Sequence, residues 1–395
     1  MIFFYLLACL PAIFGAIVWV VSKRIVWWEW LIGVAIAFLT AGICHAIAFA
    51  GLTRDAETWS GQIVKATYHP EWVERYTVKH YRTETYTTGY GKNRQTHTRR
   101  VYSHTTTHYE THSKYWNCDI DFGKKEQARN ISKKFYDEIV KNFGGKIDKL
   151  KGYRSCSHMS GTFHSGDPYD YSASNHTGYI YPAVETYAFE NRIKAAPSVF
   201  QFAKVPKTEK TFKYPANKNW RKSNRLIGQA SKVNILEWDR MNSRLGPFWK
   251  VNVILIGFGK RDKQAALWQQ AAWIGGKKND LVLCYGSDGD KTTWSFVFGW
   301  TEKEIVKRNL ETILMENKVS TELIPEIEQE IKANYVIKEW EKFSYISIEP
   351  PWWNYLVLIA VMAATQAVFW IIAFCNKADK KEKQEHNAFL SPIRH

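Results

Sequence analysis

The chain has 395 residues, 45% of them hydrophobic and 23% charged, with a formal net charge of +16. That charged fraction excludes a protein wholly embedded in lipid, and the length suffices for a sizeable core without covalent staples. Six cysteines, at positions 9, 44, 118, 156, 284 and 375, are too few and too scattered for a disulfide framework.

Long uncharged runs stand at both ends of the chain. Residues 2–22 (IFFYLLACLPAIFGAIVWVVS), 31–51 (LIGVAIAFLTAGICHAIAFAG) and 352–375 (WWNYLVLIAVMAATQAVFWIIAFC) each hold about 20 residues, enough to cross a hydrocarbon core of roughly 30 Å. Trp19, Trp27, Trp28, Trp30, Trp352, Trp353 and Trp370 sit near the run ends, where aromatic rings meet headgroups. Three transmembrane helices are therefore expected, two within 1–51 and one at 352–375. Lys23 and Arg24 link the first two, and Lys377, Lys380, Lys381 and Lys383 lie in the tail 376–395. Short basic flanks face the cytoplasm. This predicts an integral protein of the plasma or inner membrane with the N-terminus outside, the polar region 52–350 extracytoplasmic and the C-terminus cytoplasmic. Leu6-Leu7-Ala8-Cys9 resembles a lipoprotein cleavage box, but only uncharged residues precede it.

Gly33, Ala37 and Ala41 recur every four residues and predict a smooth packing face on the second helix. Ala360 and Ala364, with Ala363 and Ala367, predict a similar face on the third. Gln366, at mid-span, is placed to hydrogen-bond to a neighbouring helix, and His45 is close enough to its helix end to reach the interface.

Residues 52–122 read as a β-rich hairpin module. WVERYTVKHYRTETYTT and RRVYSHTTTHYETHSKYW flank the tip TTGYGKNRQ, and alternating Thr, Tyr and Val suit a half-solvated pleated surface. Few alternate positions are strongly apolar, so the hairpin is expected to project as an arm. The segment 123–230 is expected to hold a helix over 124–143, with Ile131, Phe135, Ile139 and Phe143 on one stripe and Gly144-Gly145 at its end. A loop-rich stretch, 152–178, follows, and then a region punctuated by Pro182, Pro197, Pro206 and Pro215.

From 231 to 345 strands alternate with helices: a helix at 231–245, the apolar strand VNVILIGFG, a helix at 262–273, strands at 281–286 and 292–300, and helices at 302–317 and 322–336. VNVILIGFG, LWQQAAWIGGKKNDLVLCYG and WSFVFGWTEKEI, in that order, resemble a TPM domain over residues 231–336. The resemblance implies a membrane-tethered extracytoplasmic domain with an accessory role beside a membrane complex; phosphatase activity and calcium binding are ascribed to some members. The acidic residues near the corresponding site are Asp280, Asp288 and Asp290, fewer than the usual acidic face. The expected fold class is thus α+β, a β-rich hairpin module plus a small TPM-like α/β layer, with three membrane helices.

Two constellations bear on chemistry. His104, His108 and His112 share one strand face, with His80 on the facing strand. Neighbours at that spacing stand about 13 Å apart, too far for one metal ion to hold two of them. Cys156, His158, His164 and His176 lie within the flexible stretch and supply ligand types that bind zinc. Cys118 and Cys156 alternatively form a disulfide in an oxidising compartment, or remain unbridged. Gly286–Asp290 resembles part of a calcium loop without its downstream glutamate and also reads as a β-turn. No Walker loop, nucleophile elbow or H-E-x-x-H is present. A domain outside the cytoplasm has no nucleic acid to meet, so the basic excess points to anionic lipid or envelope polyanions. The leading expectation is a non-enzymatic membrane-anchored envelope protein binding a protein or membrane partner, or a second copy through its membrane helices. The alternative is a metal-assisted hydrolase acting outside the cytoplasm. A third reading is a subunit of a transporter or secretion complex.

Overall fold

In the computed structural model residues 2–22, 26–123, 126–217, 219–230 and 232–390 are described. Lys23 and Arg24, on which part of the expected orientation rests, lie outside them. The chain is a mixed α+β structure with several sheets.

The three apolar runs are all helical, as α1 (Ile2–Ser22), α2 (Trp27–Thr53) and part of α9 (Trp352–Leu390). Two of them, not three, are long and apolar enough to cross a membrane: Trp27–Thr53 and Trp352–Cys375. In α1 the apolar stretch among the described residues is Phe3–Ile17. At 1.5 Å per residue it spans roughly 22 Å, short of a ~30 Å hydrocarbon core. Phe4 and Ala8 of α1, Ala37 and Ala41 of α2, and Leu358 and Met362 of α9 form a buried cluster. Gly33 is buried beside it, and Gln366 Nε2 donates to the Gly33 carbonyl at 2.8 Å. The α9 face that packs is therefore Leu358, Met362 and Gln366. Ala360 and Ala364, expected to pack, are exposed. The four-residue spacing is met on a different face of the helix.

Helix α2 passes into β1 (Arg54–His69) without a linker. β2 (Trp72–Thr88) and β3 (Gln95–His112) form the arm, followed by β4 (Tyr115–Asp121) and β5 (Glu126–Ile131). The helix expected over 124–143 is divided: its first part is β5, paired with β4, and only α3 (Lys133–Asn142) is helical. Ser132 sets the start by accepting from the Phe135 amide at 3.3 Å. The stretch read as loop-rich contains two strands, β7 (Thr162–Gly166) and β8 (Tyr169–Ser174), after the short β6 (Asp148–Lys151). β9 (Pro182–Glu190) and a single helical turn, α4 (Arg192–Ala195), follow.

β1 organises the first sheet, whose order is β5-β4-β1-β8-β6 with β9 paired along its first half. Trp59, Ile63, Ala66, Cys118, Ile120, Phe122, Ile139 and Phe143 fill the core between this sheet and α3. The arm belongs to a separate sheet, β3-β2-β7, paired from Trp72 opposite His112 to Thr88 opposite Gln95.

The last unit comprises β10 (Leu226–Gly228), α5 (Ile235–Trp249), β11 (Asn252–Gly257), α6 (Gln264–Ala272), β12 (Asp280–Asp288), β13 (Lys291–Gly299), α7 (Ile305–Glu316) and α8 (Ile324–Asn334). Its sheet runs β10-β11-β12-β13, parallel through β12 and antiparallel at β13. All six residues of β11 are buried, as a near-continuous apolar run in a sheet covered on both faces requires. Leu245, Val253, Leu283, Leu310 and Ile327 pack on one face, and Ile254, Ile256, Ala266, Cys284 and Phe298 on the other.

A polar seam joins this layer to β1. Asn279 Nδ2 donates to the Thr58 carbonyl at 2.7 Å, and Lys277 pairs with Asp55. A Cβ at Gly246 of α5 would lie 2.1 Å from the Ser60 carbonyl oxygen, so only glycine permits this approach.

Candidate metal centre at the base of the arm

Alternation along β2 and β3 puts Trp72, Glu74 and Tyr76 on one face, opposite His112, Glu110 and His108. Glu74 and Glu110 are cross-strand neighbours, a pairing of like charges that costs stability unless something compensates it. The loop around residues 156–161 folds over this face. Ser157 N donates to Glu74 Oε2 at 2.8 Å and His158 N to Glu74 Oε1 at 3.0 Å. A Cβ at Gly161 would fall 1.8 Å from Glu74 Oε1, so the loop closes only because residue 161 has no side chain.

Glu74 is completely buried. Burial pushes its carboxyl up, but the Ser157 amide, His112, and the amide and ring of His158 together outweigh burial and hold it down at about 2. His112 Nε2 donates to Glu74 Oε2 at 2.8 Å. His158 Nδ1 lies 3.3 Å from Glu74 Oε1 and 3.4 Å from Glu110 Oε2. It is inaccessible and sits at ion-pair distance from both carboxylates without the geometry of a full hydrogen bond, although the rest of the ring is partly exposed. Aromatic rings brace both imidazoles: Trp72 stacks on His112 at 4.1 Å and Tyr76 on His158 at 3.5 Å between centroids. One ligand atom each from Glu74, Glu110 and His112 lies within 4.8 Å of the others.

The residues singled out in the sequence are distributed as follows. His158 stands against this trio, within 3.4 Å of both glutamates, but is not one of the three. Cys156 lies beside it, its Cβ and the Glu74 carboxylate both meeting the space over Gly161. His164 is on the opposite face of the arm sheet, its ring 4.8 Å from Tyr109. His176 is exposed in the turn after β8, its amide donating to the Phe143 carbonyl at the end of α3. The four are therefore not one ligand set. Cys118 and Cys156 are free thiols in different surroundings, Cys118 buried in the first sheet and Cys156 in the loop over the arm. A disulfide between them is not formed. Of the arm histidines named above, His80 stacks on His104 at 4.6 Å, while His108 stacks on Tyr76.

In the sequence Glu74 and Glu110 carry no motif, and His112 belongs to a strand-face series spaced too widely for one ion. Register counted from the tip would not have found the pair, because a bulge between His80 and Tyr81 shifts the pairing by one residue and an unbroken count puts Glu74 opposite Tyr109.

Nothing comparable gathers at the three aspartates of the α/β layer. Asp280 is buried and bonded to Asn252 and Tyr214. Asp288 pairs with Lys260, and Asp290 with Lys232 and Lys318, whose ammonium groups hold its carboxyl at about 2. Each exposed carboxylate is already neutralised by lysine, which disfavours calcium there. At the arm, burial and the charge of Glu74 both push the Cys156 thiol up, so it is protonated at neutral pH and is a poor nucleophile.

No protein-family model matches the chain, and neither curated proteins nor solved structures give a match. The resemblance of 231–336 to a TPM domain thus rests on its motifs and order of elements.

Proposed function

We propose that the chain is a membrane-anchored protein whose α+β body lies outside the cytoplasm and presents the β2–β3 arm to an anionic partner, without catalysing a reaction. The arm carries this reading. Its strands pair over 17 residues, about 55 Å at the usual rise, yet none of the described side chains from Val73 to His112 belongs to a hydrophobic core. An ordered element that buries almost nothing in its own chain is built for contact with something else. Between 79 and 102 the basic residues are Lys79, Arg82, Lys92, Arg94, Arg99 and Arg100, against a single acid, Glu84. Tyr81, Tyr86, Tyr90 and Tyr102 are exposed among them. Basic and aromatic groups together favour an acidic surface, whether protein or lipid.

Membrane anchoring is supported by the surfaces of the two long helices. Only 22% and 17% of their apolar windows are buried, so they are not core helices of this chain. The outward orientation rests on the basic residues at 23–24 and 377–383.

The test places a photo-crosslinking residue at Tyr90 of the full chain in its native membrane. The expected result is a discrete adduct, lost when Arg82, Arg99 and Arg100 are replaced by Glu; its mass distinguishes protein from lipid. Absence of adducts from Tyr81, Tyr90 and Tyr102 alike would end the arm-binding reading.

A further inference from the structure

We propose that Glu74, Glu110, His112 and His158 bind a divalent transition-metal ion of the zinc class, which locks the loop at 156–161 onto the base of the arm. The inference is independent of what the arm contacts.

Three observations converge on an ion between these side chains. First, two carboxylates face each other across β2 and β3, one of them completely buried. A buried carboxylate needs a compensating charge, and a second carboxylate opposite makes the need larger. A divalent cation balances both, the two imidazoles contributing no charge when neutral. Second, His158 Nδ1 is inaccessible and stands almost equidistant, at 3.3 and 3.4 Å, from one oxygen of each carboxylate. A nitrogen facing two anionic oxygens must carry either a proton or a metal cation, and a divalent ion at this point satisfies both carboxylates and the ring at once. Third, the ligands are braced. The amides of Ser157 and His158 hold the Glu74 oxygens, and Trp72 and Tyr76 fix the two rings by stacking. Outer-shell contacts of this kind orient metal ligands.

The donor set selects the ion. Two nitrogens and two carboxylate oxygens suit zinc and its neighbours, whereas calcium takes six to eight oxygens and magnesium keeps most of its water. Tetrahedral ligands on zinc stand roughly 3.3 Å apart, and the 2.8, 3.3 and 3.4 Å separations are close to this. The Glu74, Glu110 and His112 atoms lie within 4.8 Å of one another and His158 is outside that trio, so binding draws the four side chains together. The proton now on His112 Nε2 must leave, either to the other ring nitrogen or to solvent, before that nitrogen binds. Four protein ligands leave no open position for water, which makes the ion structural rather than catalytic.

The experiment uses the full chain in detergent or nanodiscs, without a histidine tag, stripped with a chelator and retitrated with zinc against a chromophoric competitor. One zinc per chain is expected. His158→Ala and His112→Ala weaken it by at least about 100-fold, the upper range for losing even a supporting partner. His164→Ala and His176→Ala leave it unchanged. Zinc slows amide exchange in the peptide 152–161 in the wild type but not in His158→Ala, a readout that a misfolded variant cannot mimic because the wild-type comparison carries it. No stoichiometric zinc in the wild type, or binding indifferent to His158 and His112, would overturn the assignment. Either failure leaves the Tyr90 crosslinking result standing, so the two proposals fail separately.

Discussion

Arg225 Nη2 donates to Ser60 Oγ at 2.6 Å, carrying a guanidinium of the α/β layer into the central strand of the neighbouring sheet. The same group meets Asp239 at 3.1 Å and Asn252 at 2.6 Å, and all four side chains are buried. Burial pushes the Asp239 carboxyl up and the Arg225 guanidinium down, each opposed by the charge of the other. Asp239→Ala leaves a buried arginine without a counter-charge and is expected to cost about 3–5 kcal/mol. The double variant Arg225→Met/Asp239→Leu should be less damaging than either single change, because it removes both charges together. Thermal unfolding of the full chain in detergent measures both. A single variant no worse than the double would mean that the seam does not depend on this pair.

The seam shows where a sequence stops being legible. The buried run Val253–Ile256 is apolar enough to be read directly as a covered strand, and Gly144-Gly145 marks the end of α3. The arm is legible from its alternating Thr and Tyr and its glycine-containing tip. What fails is anything decided by a partner distant in sequence. Ile131 continues the helical stripe of α3, but β4 recruits residues 126–131 as a strand. Ala360 and Ala364 have the right spacing for packing, yet spacing fixes a face and not which face meets a neighbour. Glu74 looks like one more solvated charge until β3 and the 156–161 loop close over it, 36 and 83 residues away in sequence at Glu110 and Ser157. Close approaches such as Gly161 to Glu74 leave no signature in composition.

The helix packing is testable on both faces of α9. A Cβ at Gly33 would lie 3.2 Å from Trp370 and 3.3 Å from Phe369, tight enough that a larger group must displace α9. Gly33→Leu should lower thermal stability in detergent by about 1–3 kcal/mol, and Gln366→Leu by roughly 0.6 kcal/mol for its one interhelical hydrogen bond. Ala360→Leu and Ala364→Leu should change stability by less than about 0.5 kcal/mol, since both positions are exposed in the chain. Loss of stability at Ala360 equal to that at Gly33 would point to a second copy packed on that face.

Cys118 gives a pH test. Burial, with Asp119 adding to it, pushes its thiol from 9.0 up to about 12. Below 9 the thiol is protonated in both the folded and the unfolded chain, so nothing is lost. Between 9 and about 12 the unfolded chain ionises while the folded one does not, and stability falls as pH rises through that window. Cys118→Ala should flatten this part of the stability–pH curve relative to the wild type, while Tyr181, also pushed up to about 12, keeps a residual slope in both. At pH 8 Cys118 and Cys284 should resist maleimide in the native protein and react after unfolding. Rapid native labelling of either would contradict its burial.

The arm supplies the sharpest separation of stability from function. His80 and His104 face each other directly across β2 and β3, so residues 81–103 are replaceable by an Asn-Gly turn that joins the strands at that pair. Every contact removed is solvent-exposed hairpin pairing, and none reaches a hydrophobic core. The truncated chain should therefore unfold within about 0.5 kcal/mol of the wild type, the range of surface changes that touch no core. It should also retain zinc, because Glu74, Glu110, His112 and His158 all lie on the near side of the cut. Binding to the anionic partner should vanish, since Tyr81, Tyr86, Tyr90 and Tyr102 and Arg82, Arg94, Arg99 and Arg100 are gone. Retained partner binding would move the interaction surface onto the body, and a large loss of stability would mean that the distal arm folds back on the protein in a way its exposed surface does not show.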